Sequence, residues 1–248
     1  MQMDTAIACA LDPDRQITPQ IYQFLHDRII RNELKPGDQI SESEIARNCS
    51  VSRQPVREAF IKLADQGLLW IRPQRGTIVS RITYDAVLDA RFLREAFEAD
   101  IVKVLARDPD PALITELRAQ IMAQKAIGKA APRDFIDLDE KFHRTFAEGA
   151  GKGGAWKQIE GLKSQMDRVR YLSLGDLPVR NLIGQHENIV NLIAAGNVSG
   201  AEAAIRSHLR AILHDLPEIT LAHPEFFELP AGGIPTSDKK PIEGGERE

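Results

Sequence analysis

The chain has 248 residues, 43% of them hydrophobic and 27% charged, with a net charge of −4 and only two cysteines. That length suffices for a sizeable core and two domains, and the cysteine count excludes a disulfide-stapled scaffold. No stretch approaches the roughly 20 apolar residues of a membrane span, and the opening MQMDTAIACALDPD has no basic segment before its short apolar run, so the expected location is the cytoplasm, with no membrane partner.

Residues 1–14 read as a flexible leader. A first helix follows, with Thr18 as cap, Pro19 at the first helical position and an apolar stripe at Ile21, Leu25 and Ile29, until "LKPGDQ" turns the chain. Ser41 and Glu44 have capping-box spacing and open a short helix to about Asn48. "CSVS" then leaves room only for a tight turn. From Ser52 a third helix, with Pro55 in its first turn, buries Val56, Phe60, Leu63 and Ala64 and ends near Gly67. "LLWI" and "TIVSRI", rich in apolar and β-branched residues, flank a loop that holds Gly76 and read as two short strands. Three helices and a β-hairpin over residues 15–82 make a winged helix-turn-helix.

Charge is distributed to match. Between Ser43 and Arg81 seven basic residues face three acidic ones, a local balance of +4 on an acidic chain, which is the footprint of a DNA-binding module joined to something else. A recognition helix enters the major groove with its N-terminal residues. Arg53 would therefore reach guanine or phosphate, and Arg57, one turn on, would reach the backbone or pair with Glu58 or Glu44.

"LKPGDQISESEIA", "VSRQPVREAFIKLADQGLLWIRPQRGTIV" and their spacing closely resemble the DNA-binding domain of the GntR superfamily of bacterial regulators. The resemblance implies operator contact by Arg53 and Arg57 and a wing formed by Arg75 and Gly76 that reaches the minor groove. The DNA-facing set is then Arg47, Ser52, Arg53, Gln54, Pro55, Arg57, Arg75 and Gly76. Gln54 stands where threonine is usual and Ser43 where many members have a basic residue, which bears on the operator sequence rather than on DNA binding.

From residue 83 to about 217 the pattern is helical, with breaks at "RDPDP", "AAPRD", "GAGKGG", "GDLP" and "GNVSG" separating six helices. The fold class is therefore mainly α, an N-terminal winged helix-turn-helix followed by an all-α six-helix bundle. The tail, residues 218–248, is rich in Pro, Gly and charge and is expected to be largely disordered, past about residue 230, with Phe226 and Phe227 open to docking on the bundle or not.

Three of these helices carry ligand-type side chains on their apolar stripes. Asp139 and His143 lie one turn apart beside Phe135, Leu138, Phe142 and Phe146; His186 lies among Leu182, Ile183, Ile189, Val190 and Ile193; His208 lies among Ala201, Ala204, Ile205, Leu209 and Ile212. A buried carboxylate without a partner is costly, and a divalent cation held by one aspartate and three imidazoles removes that cost. The metal ligands are thus expected to be Asp139, His143, His186 and His208, with zinc the first choice and nickel or manganese the alternatives. His26, His214 and His223 receive no role.

"DLDEKFH", "QHENIVNLIAAGN" and "AEAAIRSHL" look like the FCD-type ligand-binding domain of the FadR subfamily, and six helices rather than seven resemble its VanR-type branch. The resemblance implies the same four ligands. Gln185 departs from the acidic residue usual before the third of them. "LREAFE" resembles the family's "R..LE", which makes Arg94 a candidate to hold an effector carboxylate beside the metal; Arg168, in "QMDRVRYL", is a second. The whole reads as a homodimeric transcriptional repressor that binds an inverted-repeat operator under control of a small carboxylate. Two alternatives stay open: a purely structural metal, and a metalloenzyme fused to a DNA-binding domain. The second lacks the paired Glu-x-x-His motifs of a di-iron bundle and any general base beyond the ligands, so no enzyme is expected.

Overall fold

The structure, a computed structural model, describes residues 9–127, 132–173 and 179–234. Its N-terminal part contains α1 (Ile17–Ile30), β1 (Gln39–Ile40), α2 (Glu42–Asn48), α3 (Arg53–Asp65), β2 (Leu69–Arg72) and β3 (Gly76–Val79). The three strands form one antiparallel sheet in the order β1-β3-β2. The apolar spacing of α1 and α3 buries Ile21, Leu25, Ile29, Val56, Phe60 and Leu63 together with Leu68, Leu69 and Val79. Each such side chain contributes about 1.5–3 kcal/mol by leaving water.

Two capping expectations fail, each for a local reason. The Thr18 hydroxyl donates to Glu58 Oε2 at 3.0 Å, tying α1 to α3, and the helix already begins at Ile17. Ser41 flanks α2 as expected, but its hydroxyl pairs with that of Ser43 at 2.9 Å, so no capping box forms with Glu44. Within the described part of the leader, Cys9 and Leu11 pack against this core, and Cys9 adjoins the buried Cys49, whose thiol is pushed up to about 12 by burial and by that neighbour.

After β4 (Ile82–Thr83) come α4 (Tyr84–Arg107), α5 (Pro111–Ile127), α6 (Pro132–Gly149), α7 (Gly153–Leu162), α8 (Ser164–Leu172), α9 (Val179–Ala194), α10 (Val198–Arg210) and α11 (Ile212–Ala222). Two of the six expected helical runs are delivered in two pieces. Lys163, with ψ near zero, separates α7 from α8 and folds its ammonium back onto Glu140 at 2.7 Å and Asp167. At Ala211 the ladder tightens to three-residue bonds, Ala211 N–H to His208 O and His214 N–H to Ala211 O, and α11 then runs through Pro217 to Ala222. The "GNVSG" break is explicit: Gly196 ends α9 with φ +68°, and the Asn197 side chain accepts from Gly200 N–H at 2.9 Å to open α10. The "GDLP" break and the start of "AAPRD" lie outside the described residues.

The tail docks at Phe226 and Phe227, the possibility that the sequence left open. β5 (Phe227–Glu228) pairs in parallel with β4, and Phe226 and Phe227 are buried against Ile82, Tyr84, Met166, Val169 and Leu216. Those apolar contacts supply what composition alone does not reveal. Residues 235–248 lie outside the described residues.

The bundle core, with Phe135, Phe142, Phe146, Trp156, Ile189, Val190, Ile193 and Ile205, is separate from the N-terminal core. Ile136 of α6 and Tyr171 of α8 nonetheless sit in the N-terminal core. No described helix is long and apolar enough to cross a membrane.

Candidate metal centre and DNA-binding face

Asp139, His143, His186 and His208 are all buried, and one ligand atom from each lies within 4.8 Å of all the others. The helical stripes of α6, α9 and α10 bring them there. Phe142, next to His143 in sequence, stacks on His186 with ring centroids 4.4 Å apart and packs edge-on against Phe146, so the apolar stripe of α6 also orients His186 of α9.

Hydrogen bonds at the far side of each ring fix which nitrogen faces inward. His143 Nδ1 donates to Glu98 Oε2 at 2.5 Å, His186 Nδ1 to Gln124 Oε1 at 2.9 Å and His208 Nδ1 to Gln185 Oε1 at 2.7 Å. Gln124 is oriented in turn by its Nε2 donating to Leu138 O at 3.5 Å. Each imidazole thus carries its proton on the outer nitrogen and turns the Nε2 lone pair inward. Gln185, the departure noted in the sequence, performs the acceptor role that an acidic residue would perform.

The inner atoms meet without protons between them. His208 Nε2 lies 3.2 Å from His143 Nε2 and 3.4 Å from His186 Nε2. Asp139 Oδ1, 3.3 Å from His186 Nε2, has no hydrogen-bond donor, because that nitrogen's proton is on the other side of the ring. Three lone pairs and a carboxylate oxygen facing one point repel one another unless a cation lies among them. Ligands bonded at about 2.1 Å stand roughly 3.0–3.4 Å apart in an octahedral or tetrahedral shell, which matches these separations. The cluster could hold a divalent metal ion, and the donor set, three imidazoles and one carboxylate, suits zinc, nickel or manganese.

The electrostatics agree. Burial opposes ionising Asp139, but Arg170, with its guanidinium 2.7 Å from Oδ2, outweighs it and holds the carboxyl well below its usual range. Burial likewise lowers His186 and, with the other two rings, takes His208 far below the usual imidazole value, so both keep a free lone pair. Glu98 is fully buried; Arg94, whose Nε donates to it at 2.7 Å, and His143 overcome the desolvation and hold it at about 2.

The cluster borders a cavity of about 370 Å³. Asp139, His143 and His208 line it together with three guanidinium groups, those of Arg91, Arg94 and Arg170; Leu172, Leu182, Leu209 and Ile219 contribute apolar lining, and Asp215 and Glu218 of α11 and His223 just after it complete the polar lining named here. Arg94 is buried and its Nη2 has no hydrogen-bond partner, an unmet donor beside the cavity. Arg94 is thus at the cavity, beside Asp139 and His143.

Arg168 is not. Its Nη2 donates to Ser80 O at 2.9 Å and its Nη1 to Gln165 at 3.3 Å, at the junction with the N-terminal domain. Successive helical residues are turned by 100°, so Arg168 and Arg170 point to nearly opposite sides of α8, and it is Arg170 that reaches the cavity. Sequence reasoning missed Arg170, Arg91, Glu98 and Gln124. Glu98 had a signal, its four-residue spacing from Arg94; Gln124 had none.

At the other end of the molecule, Arg47, Ser52, Arg53, Gln54, Arg57, Arg75 and Gly76 are exposed and Pro55 is half-buried. Arg57 forms no ion pair with Glu58 or Glu44 among the described residues; Glu58 is taken by Thr18 and by Gln54 Nε2 at 3.0 Å, which leaves the guanidinium unengaged. Gly76 has φ +83° at the tip of the β2–β3 hairpin, a conformation that favours glycine, and a side chain there would also crowd Gln39. Trp70 of β2 is 60% exposed with Arg72 over its ring.

Residues 17–79 match the model for bacterial regulatory proteins of the gntR family, and residues 89–211 match the FCD domain. An uncharacterized HTH-type transcriptional regulator in an unstable DNA locus of Streptomyces ambofaciens is 37% identical over 87% of this chain and 91% of its own length. The HTH-type transcriptional repressor RspR of Escherichia coli is 35% identical over 88% of this chain and 96% of its own. Among solved structures, E. coli McbR/YncC superposes with a TM-score of 0.68 at 17% identity, covering 82% of this chain and 98% of that one, which establishes likeness of fold.

Proposed function

Because the chain belongs to the GntR family of bacterial regulatory proteins, as a transcriptional regulator with an FCD domain and not an enzyme, we propose that it is a metal-dependent repressor controlled by a small carboxylate. One observation carries the proposal: three inward-facing Nε2 atoms and an undonated aspartate oxygen converge in a cluster whose Asp139, His143 and His208 line a cavity that also presents Arg91, Arg94 and Arg170. Asp139, His143, His186 and His208 would hold the ion, zinc being the first choice. Its positive charge would add to that of the arginines in attracting an anion, with open coordination positions available to a carboxylate. Arg94, with its unmet donor, binds the effector carboxylate; the apolar lining of the cavity accepts the rest. The repressor reading is supported by relatives such as RspR that are named repressors.

Elemental analysis of protein purified without a histidine tag tests the metal, with one ion per chain expected. A screen of small carboxylates against a fluorescent operator duplex then tests the sensor. A purely structural metal predicts stoichiometric metal but operator affinity indifferent to every carboxylate that binds.

The exposed arginines define the DNA contact. Arg53→Ala is expected to cost about 1–3 kcal/mol on a duplex selected from a random pool and to relax discrimination at one base pair, whereas Arg75→Ala weakens selected and scrambled duplexes alike. Titrations at several salt concentrations read this, and unchanged affinity in both variants overturns the assignment. Two recognition helices related by two-fold symmetry would bind an inverted repeat, so light scattering should give a mass near twice 27.6 kDa. A monomer that protects a single half-site with full affinity contradicts the dimer.

A further inference from the structure

α8 is only nine residues long, yet it touches the candidate metal centre on one side and three separate elements of the winged helix on the other. Toward the centre, Met166 and Arg170 line the cavity, and Arg170 Nη2 donates to Asp139 Oδ2 at 2.7 Å. Toward the winged helix, Gln165 Nε2 donates to Gly67 O at 3.1 Å, just past the end of the recognition helix α3. Arg168 Nη2 donates to Ser80 O at 2.9 Å, one residue after the wing strand β3. The Arg168 carbonyl accepts from Asn32 Nδ2 at 3.0 Å, beyond the end of α1, and Ser164 Oγ lies 3.3 Å from His26 Nε2. The apolar contacts follow the same division, with Tyr171 in the N-terminal core and Met166 and Val169 in the core that joins β4, α11 and the tail.

Arg168 is unusual even within this set. Its side chain is completely buried, and its polar contacts are with a carbonyl and an amide, not with a carboxylate. A buried cation held only by neutral acceptors is costly and has to be offset by the surrounding structure. Its Nε has no partner at all. Leaving the junction would return this guanidinium to water, which lowers the cost of breaking its contacts with Ser80 and Gln165.

We propose that α8 is the coupling lever of this regulator, with Arg170 sensing occupancy of the metal centre through Asp139 and Arg168 positioning the ends of the recognition helix and wing. The inference rests on the metal reading above and adds the route by which it reaches DNA. Asp139 offers Oδ1 to the centre and Oδ2 to Arg170, so a cation that fixes the carboxylate plane also fixes the guanidinium. Rigid α8 carries that constraint two residues back to Arg168, on the opposite face.

Hydrogen exchange of the full-length protein, metal-free and after zinc addition, tests the lever without a known effector. In the native sequence, zinc is expected to slow exchange in residues 132–149 and 179–210 and to alter it by threefold or more in residues 67–80. Arg168→Met should bind zinc with the same stoichiometry and keep the sensor-domain protection, while residues 67–80 exchange as in the metal-free protein. Asn32→Gly is the second variant, chosen because φ +55° at that position suits glycine; it removes one junction contact and should reduce the change in residues 67–80 at least by half. If zinc protects the sensor helices of the native protein but leaves residues 67–80 unmoved, or if both variants transmit as the native protein does, the lever is refuted while the metal site stands. If zinc does not bind, the metal reading fails and the lever with it.

Discussion

His208→Ala is expected to purify without stoichiometric metal and to bind added zinc at least about 100-fold more weakly, a larger loss than the 10- to 100-fold that follows from removing a supporting hydrogen bond around a metal ligand. The accompanying stability change separates a ligand from a packing residue. An ion present at about 1,000 times its dissociation constant stabilises the folded state by roughly 4 kcal/mol, and the variant forfeits that term. Metal-free protein should respond differently. His208 lines an existing cavity, so its removal enlarges open space more than it cuts into the apolar core, and it takes away one of three lone pairs that face one another at 3.2 and 3.4 Å. The metal-free variant is therefore expected to lose less than about 1 kcal/mol, well under the usual cost of truncating a core side chain. Chemical denaturation of both proteins, each with zinc and with chelator, reads the four values. Equal losses in the two conditions would make His208 a packing residue and overturn its assignment.

The parts of the molecule that were legible in the sequence are those in which local chemistry and tertiary contact ask for the same residues. The stripes of α6, α9 and α10 must face a common interior to bury Phe142, Ile189 and Ile205, and whatever polar side chains lie within those stripes are carried inward with them. That is why four ligand-type residues from three helices could be grouped without a structure. The basic character of α3 and the hairpin was legible for the same reason: exposed arginines at the start of a recognition helix serve no core.

What was hidden depends on contacts between distant elements. Arg168 and Arg170 are indistinguishable by composition; only the placement of α8 between the winged helix and the bundle decides which of them faces the cavity. Composition left the docking of Phe226 and Phe227 undecided, because Pro, Gly and charge dominate the tail around them, yet they find a ready apolar surface on β4, α4 and α8. Ser41 had the spacing of a cap, but a nearer hydroxyl on Ser43 took its hydrogen bond. In each case a neighbour outside the local pattern decided the outcome.

Glu98 shows how much of the candidate centre lies outside its four candidate ligands, and its replacement should have the largest effect on the fold. One carboxylate oxygen holds the Nδ1 proton of His143 and the other holds Nε of Arg94, and all three side chains are buried. Glu98→Ala removes both acceptors at once. Arg94 is left as a buried cation without its partner, a change of the kind that costs about 3–5 kcal/mol, because the charge must either remain desolvated or draw water into the helix pair. His143 loses the acceptor that sets its tautomer, and zinc affinity should fall about 10- to 100-fold even though no ligand has been touched. Glu98→Gln divides the two roles. Its amide oxygen can still accept from His143, as Gln124 and Gln185 do for the other two rings, so zinc affinity should stay within a few-fold of native; the charge balance with Arg94 is lost, so most of the stability penalty remains. Urea denaturation of the metal-free proteins gives the first quantity and competition with a chromophoric chelator the second. Native zinc affinity in Glu98→Ala would remove Glu98 from the metal centre, and native stability in both variants would show that Arg94 does not depend on it.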